Sequence, residues 1–301
     1  MRHAWGLLAL FAACACAQDA VRGNFRIDAN VVLVKVTVTD PQGHFITGLT
    51  RENFQVFEDR AEQSVAYFSA EEVPVSVGLV LDFSRSMTAR FGELKQAVGE
   101  FLKSANPRDE FCVVEFRGRA ELSVGFTDTP EEIRNRLAFA RPEGSTALLD
   151  AIYVGLRQMR RARNPRKILL IVSDGGDNHS RYRAREVESL ARESDVEIYA
   201  IGIVDRFYSR TGWERFAGPE LLDDITEMAG GRYYEIERAR ELPGVAESIG
   251  RELRHEYVLG YVPSNRRRDG RYRHIQVKIA HEPGQPRYSA YWRRGYFAPG
   301  E

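Results

Sequence analysis

Val75-Ser76-Val77-Gly78-Leu79-Val80-Leu81 runs directly into Asp82-Phe83-Ser84-Arg85-Ser86, and the reading of the whole chain starts here. The first seven residues are mostly apolar, the pattern of a strand covered on both faces. The run stops at a carboxylate, followed by hydroxyls two and four residues later, so three oxygens lie on one side of a tight loop. In an open parallel sheet, ligands gather where the carboxyl ends of strands meet loops, near the topological switch point. Hard cations such as Mg²⁺ want oxygen ligands of this kind, and Mg²⁺ typically keeps several of its waters.

Working outward, strand and helix alternate from residue 74 to about residue 254. Residues 91–102, 147–159, 221–228 and 242–253 repeat with helical spacing, and residues 112–116 and 121–126 read as strands. Residues 168–172 form an uninterrupted apolar run, and residues 196–203 nearly do, broken only by Glu197. Such alternation predicts an α/β fold with a doubly wound, mostly parallel sheet and helices on both faces. The flanks differ. Val32, Val34, Val36 and Val38 share one parity, Asp40-Pro41-Gln42-Gly43 reads as a turn, and residues 54–58 continue the alternation. Residues 257–262, 272–279 and 289–297 read as strands again, with Arg266-Arg267-Arg268-Asp269-Gly270 a solvated turn between the first two. Each flank is too small to be stable alone. Pairing would solve this, giving a small antiparallel β-domain built from N- and C-terminal segments with the α/β domain inserted in it. The expected divisions are 1–17, 18–73, 74–254 and 255–301.

Two further loops share the character of the first. Gly144-Ser145-Thr146 offers a hydroxyl at the head of the helix over 147–159, and Ser173-Asp174-Gly175-Gly176-Asp177 offers a second carboxylate after the strand over 168–172. Each piece alone fits a cap or a turn. Together, each at the end of a strand or head of a helix, they read as one oxygen-rich site.

Composition narrows the function classes. The 301 residues hold 43 basic and 43 acidic side chains and are 43% hydrophobic, which fits a globular chain and excludes disordered, collagenous and disulfide-dense ones. A formal charge of zero argues against a nucleic-acid binder. Residues 1–17 read as an export leader: Arg2 and His3, an apolar run over 5–13, and Ala15-Cys16-Ala17 before Gln18. The run is too short to anchor in a bilayer, and no later segment is long and apolar enough to cross one. Cys14 is the alternative, as a lipidation site, although it lacks the usual Leu three positions upstream. Removal of the leader takes Arg2 with it, so residues 18–301 carry a formal charge of −1. Cys112 is then the only thiol and lies in an apolar strand pattern, so a disulfide framework and a Cys-based metal site are both excluded.

Asp82-x-Ser84-x-Ser86, Thr146 and Asp174 together resemble the metal-ion-dependent adhesion site of von Willebrand factor type A domains. The resemblance covers roughly residues 74–254. The flanking Val36-Thr37-Val38-Thr39-Asp40, Gly48-Leu49-Thr50 and Arg294-Gly295-Tyr296-Phe297 are similar to the bacterial exported group of VWFA-related proteins. The resemblance implies a Rossmann-like sheet and a resident Mg²⁺, with Mn²⁺ or Ca²⁺ as alternatives. Ser84, Ser86 and Thr146 would bind through hydroxyls, and Asp82 and Asp174 directly or through water. It further implies one open coordination position for an acidic side chain of a protein partner, and a place in the periplasm, at the cell surface or in the medium. Asp177 fits a supporting role or a plain turn equally well.

The expected activity is therefore metal-dependent protein binding, not catalysis. A structural module whose metal site meets no partner is the first alternative. A metal-assisted hydrolase is the second, and it would need a general base beside the ion. His179 is the one His near these motifs, and the sequence holds no His-Glu-x-x-His, phosphate-cradling Gly-rich loop or Gly-x-Ser-x-Gly elbow.

Overall fold

The computed structural model describes residues 31–70, 73–204, 219–280 and 287–300. The leader, Cys14 and His281 lie outside the described residues. Four strands come first: β1 (Val32–Thr39), β2 (Phe54–Glu58), β3 (Ala61–Gln63) and β4 (Val65–Ser69). The alternating part follows as β5 (Val75–Asp82), α1 (Phe91–Lys103), β6 (Glu110–Phe116), β7 (Ala120–Thr127), α2 (Pro130–Ala138) and α3 (Leu148–Met159). It continues as β8 (Arg166–Ser173), α4 (Ala184–Glu193), β9 (Glu197–Ile203), α5 (Pro219–Ala229), β10 (Tyr233–Ile236) and α6 (Leu242–Glu252). The chain closes with β11 (Glu256–Tyr261), β12 (Tyr272–Ile279), β13 (Ser289–Trp292) and β14 (Gly295–Phe297).

The central sheet has the order β10-β9-β8-β5-β6-β7 and is parallel except for β7. Every residue of β5, β6 and β9 is buried, which is why these segments are mostly apolar. Alternate residues serve opposite faces. Val77, Leu79 and Leu81 pack with Leu94 and Phe101 of α1, Ile133 of α2 and Ile249 of α6. Val80 and Ile171 pack with Ile152 and Leu156 of α3, Val187 of α4 and Ile225 of α5. The fold is thus α/β and doubly wound, as expected. The chain leaves β5 toward β6 and leaves β8 toward β9, so the sheet's switch point lies between β5 and β8.

Two antiparallel sheets, β13-β1-β11-β4 and β14-β12-β2-β3, each mix N-terminal with C-terminal strands. Val36, Val56, Leu259 and Val277 belong to their shared core, where full burial of each contributes about 1.5–3 kcal/mol. The phenol O–H groups of Tyr261 and Tyr296 both donate to Oε2 of the buried Glu58, at 2.8 Å each, and tie the sheets together.

Residues 289–297 are not one strand, contrary to the sequence reading. They break at Arg293-Arg294, so that β13 pairs with β1 while β14 pairs with β12 of the other sheet. Gly295 permits the crossing, because a Cβ there would stand 2.2 Å from the carbonyl oxygen of Arg273. The short helices α2 and α4 also lie outside the helical segments that the sequence predicts. Each buries only a pair of side chains four residues apart, Ile133 with Leu137 and Val187 with Ala191.

The polar interruption at Glu197 joins the two parts of the molecule. At the amino ends of the central strands, its carboxylate meets Lys35 of β1 at 2.8 Å and Arg166 of β8 at 3.3 Å, and Arg166 also meets Glu256 of β11 at 2.9 Å. Burial pushes the Glu197 carboxyl up, but Lys35 and Arg166 overcome this and hold it at about 2. Glu256 has less help: burial, only partly offset by Arg166 and reinforced by Glu197, pushes it up to about 8.

Candidate metal centre

At the opposite, carboxyl ends of β5 and β8, three loops meet. Asp82 is the last residue of β5 and is fully buried. Its Oδ1 accepts the backbone N–H of Ser84 at 2.9 Å, and its Oδ2 accepts the hydroxyl of Ser173, the last residue of β8, at 2.6 Å. Burial pushes the Asp82 carboxyl up to about 7. The charge of Asp174 adds to the rise, and the bonds from Ser173 and Ser84 oppose it. A carboxyl in this condition is stabilised as an anion by a nearby cation.

The first loop turns tightly after Asp82. The Met87 N–H donates to Ser84 O at 3.1 Å, and the Ser84 and Ser86 hydroxyl oxygens come within 2.9 Å of each other. Ser84 is buried and Ser86 is exposed, so this pair points from the strand end toward solvent. The second loop is laced to the first: Glu143 N–H donates to Phe83 O at 2.8 Å, and Arg85 N–H to Gly144 O at 3.2 Å. Gly144 has φ +76°, and a Cβ there would lie 3.2 Å from the backbone of Arg117, so the close approach of the second loop to the turn between β6 and β7 requires glycine. Two residues on stands Thr146, buried at the head of α3.

The third loop folds over that helix head. Thr146 N–H donates to Asn178 Oδ1 at 3.1 Å, while the N–H groups of Asn178 and His179 both donate to Thr146 O. Asp177 Oδ1 accepts the N–H of Leu148 at 3.1 Å and the hydroxyl of Ser180 at 2.7 Å. Asp177 therefore holds the helix head and the third loop together. Asp150 does the same one turn later, accepting the N–H groups of Arg181 and Tyr182 at 2.8 and 3.0 Å. Asp174 and Thr146 face a common space, since a Cβ on Gly176 would lie 3.9 Å from Asp174 Oδ1 and 4.0 Å from Thr146 Oγ1.

The structure thus brings Asp82, Ser84, Ser86, Thr146 and Asp174 to one end of the sheet, at its switch point. Two carboxylates with three hydroxyls and a glycine-lined space form a donor set that fits a hard divalent cation. Among the described residues no group of three or more His, Cys, Asp or Glu gathers into an alternative centre. Sequence reading missed Arg90, whose Nη1 lies 3.4 Å from Asp174 Oδ2. It also missed the lacing roles of Asn178 and Asp150. No local motif marks any of them, because their partners are 84, 32 and 31 residues away. Cys112 is buried in the core, and burial pushes its thiol up to about 12, which makes it an inert packing residue.

Residues 77–176 match the von Willebrand factor type A domain family. Over that stretch the α/β part of this chain is similar to a von Willebrand factor type A domain. That match takes in β5, β6, β8 and α3 together with all five residues of the oxygen cluster. Solved structures agree on the fold of the type A domain. A von Willebrand factor type A protein from Catenulispora acidiphila superposes with a TM-score of 0.52 at 13% identity, over 82% of this chain and 72% of that one. Proximal thread matrix protein 1 from the mussel byssus gives 0.51 at 19% identity, over 74% of this chain and 50% of that one. The pilus adhesin SpaC from Lactobacillus rhamnosus GG, in an open conformation, gives 0.50 at 11% identity, over 82% and 48%. No curated protein matches the chain significantly. No helix among the described residues is long and apolar enough to cross a membrane.

Proposed function

We propose that this chain is an exported, metal-dependent protein-binding module. Ser84, Ser86 and Thr146 hold a divalent cation, Mg²⁺ before Mn²⁺ or Ca²⁺, through their hydroxyls, with Asp82 and Asp174 directly or through water. When bound, the ion supplies an electrophilic position for an outside carboxylate, since its own set of five ligands contains only two formal charges. A protein partner presenting an acidic side chain fills that position. The observation that carries this reading is the convergence of the five oxygen-bearing residues at the switch point, held by hydrogen bonds between the loops, backbone to backbone and from Thr146 N–H to the Asn178 side chain. The type A match and the adhesin among the fold neighbours support it.

Catalysis is not part of the proposal. Hydrolysis needs a general base beside the ion, and His179 is exposed and bonded through its backbone N–H to Thr146 O. One observation favours the structural-module reading. The Arg90 guanidinium already lies against Asp174, so a cation of the chain's own stands at one of the ligands.

Calorimetric titration with Mg²⁺ and Mn²⁺ tests the proposal. Saturable binding is expected for the wild type and its loss for a double Asp82→Ala, Ser84→Ala variant. A folded, metal-stripped wild type that binds neither ion overturns it in favour of the structural module.

A further inference from the structure

The two laced loops do more than carry Ser84, Ser86 and Thr146. They also wall a cleft of about 450 Å³ lined by Arg85, Arg117, Arg119, Glu121, Glu143 and Gly144. Three of its six lining residues are guanidinium-bearing. Arg85 stands between two of the proposed ligands and is exposed, and among the described residues its guanidinium makes no ion pair. Arg119 is 82% exposed at its side chain and pairs with Glu121 at 3.5 Å, a solvent-facing contact weak enough to be exchanged for another carboxylate. Arg117 has a different role. Its guanidinium spans Glu115 at 3.2 Å, Glu143 at 3.3 Å and Glu121 at 3.7 Å, so its single charge is shared among three carboxylates. Beneath it, the fully buried Glu115 is also paired with Arg136. Arg85, Arg117, Arg119 and Arg136 thus stand against Glu115, Glu121 and Glu143, four guanidinium groups to three carboxylates, so the cleft keeps an excess positive charge and Arg85 faces it without an acid of its own.

We propose that this cleft is a second anchoring point for the partner, and that the segment it takes is a polyacidic stretch of protein. This rests on the metal-bridging reading of the neighbouring cluster. One carboxylate of the segment binds the ion, and a further carboxylate of the same segment pairs with Arg85 and Arg119. Arginine suits the task because its planar fork binds carboxylates in a fixed orientation. Charge complementarity of this kind sets which acidic segment is preferred and how fast it is captured. A protein with a single accessible carboxylate meets the ion alone and is held less well.

The test uses the full chain, saturated with Mg²⁺, and fluorescent peptides carrying one, two or three glutamates in a Gly/Ser frame. The wild type is expected to bind the multi-glutamate peptides roughly three- to tenfold more tightly than the single-glutamate one, from two solvent-facing ion pairs. A double Arg85→Ala, Arg119→Ala variant is expected to lose that preference while keeping its Mn²⁺ titration, its melting temperature and its affinity for the single-glutamate peptide. A double variant that retains the preference overturns the cleft proposal and leaves the metal reading standing. Peptide binding that survives Asp82→Ala, Ser84→Ala and excess chelator, yet falls in the Arg85/Arg119 variant, overturns the metal bridge instead. A metal-loaded wild type that binds none of the peptides overturns both.

Discussion

Arg90 and Asp174 are 84 positions apart in the chain, yet the Arg90 Nη1 lies 3.4 Å from Asp174 Oδ2. Both are largely shielded, with side-chain exposures of 21% and 11%. The guanidinium stands at a carboxylate that a divalent ion would use, so ion and Arg90 compete for it. Arg90→Ala is expected to tighten Mg²⁺ binding, roughly two- to fivefold, the size of one weakly exposed pair. Calorimetry on wild type and variant checks this. Weaker binding in the variant would make Arg90 a support of the site and not its competitor.

Asp82 separates binding from folding. Its carboxyl is buried, repelled by Asp174 and pushed up to about 7, so a neutral amide suits the metal-free protein about as well. Asp82→Asn can still accept the Ser84 N–H, and its amide can donate to the Ser173 hydroxyl. Unfolding stability in chelator is expected to stay within about 1 kcal/mol of wild type, with Mg²⁺ binding abolished. A chemical denaturation curve beside a Mg²⁺ titration decides. A large loss of stability without metal would show that the anionic form is needed for the fold.

The cluster joining β1, β8, β9 and β11 sets a pH dependence. The Glu256 carboxyl lies at about 8 in the folded chain, above its ordinary 4.5. Between those values the unfolded chain releases a proton that the folded chain keeps, so this group lowers stability as pH rises across the window. Glu256→Gln is expected to remove that decline, read as melting temperature from pH 5 to 8.

Glu197 behaves in the opposite sense. Its folded value of about 2 lies below the ordinary 4.5, so its contribution is present above 4.5 and is lost as pH falls toward 2. Glu197→Gln leaves Lys35 and Arg166 without their shared carboxylate in the interior. A loss of about 3–5 kcal/mol is expected at neutral pH. A loss below 1 kcal/mol would mean that the cluster rearranges around Glu256 at little cost.

Gly295→Ala tests the crossing between the two antiparallel sheets. The added methyl would meet a backbone oxygen at 2.2 Å, and backbone cannot swing aside as a side chain can. Destabilisation of about 1–3 kcal/mol is expected from overpacking. Unchanged thermal unfolding would show that β14 can shift along β12.

The parallel sheet was legible because burial on both faces forces long apolar runs, and residues 75–81 and 168–172 could be little else. The loops at their ends were legible because a carboxylate or hydroxyl there stands out against such runs. The pairing of the N- and C-terminal segments followed from size, since neither flank could bury a core alone. The helices α2 and α4 were not legible, because each buries a single apolar pair and is otherwise a polar surface. Glu197 looked like a blemish in a strand, and its partners Lys35 and Arg166 are known only once β1 is packed at the end of β8 and β9.

Local chemistry in the chain thus determined the α/β class and the five oxygen donors, because strand burial and ligand type are both written in consecutive residues. Folding decided the Arg90–Asp174 contact, the Arg85 and Arg119 cleft and the sheet change at Gly295. Each of these depends on residues far apart in the chain, and a contact of that kind exists only after the sheet has brought the strand ends together.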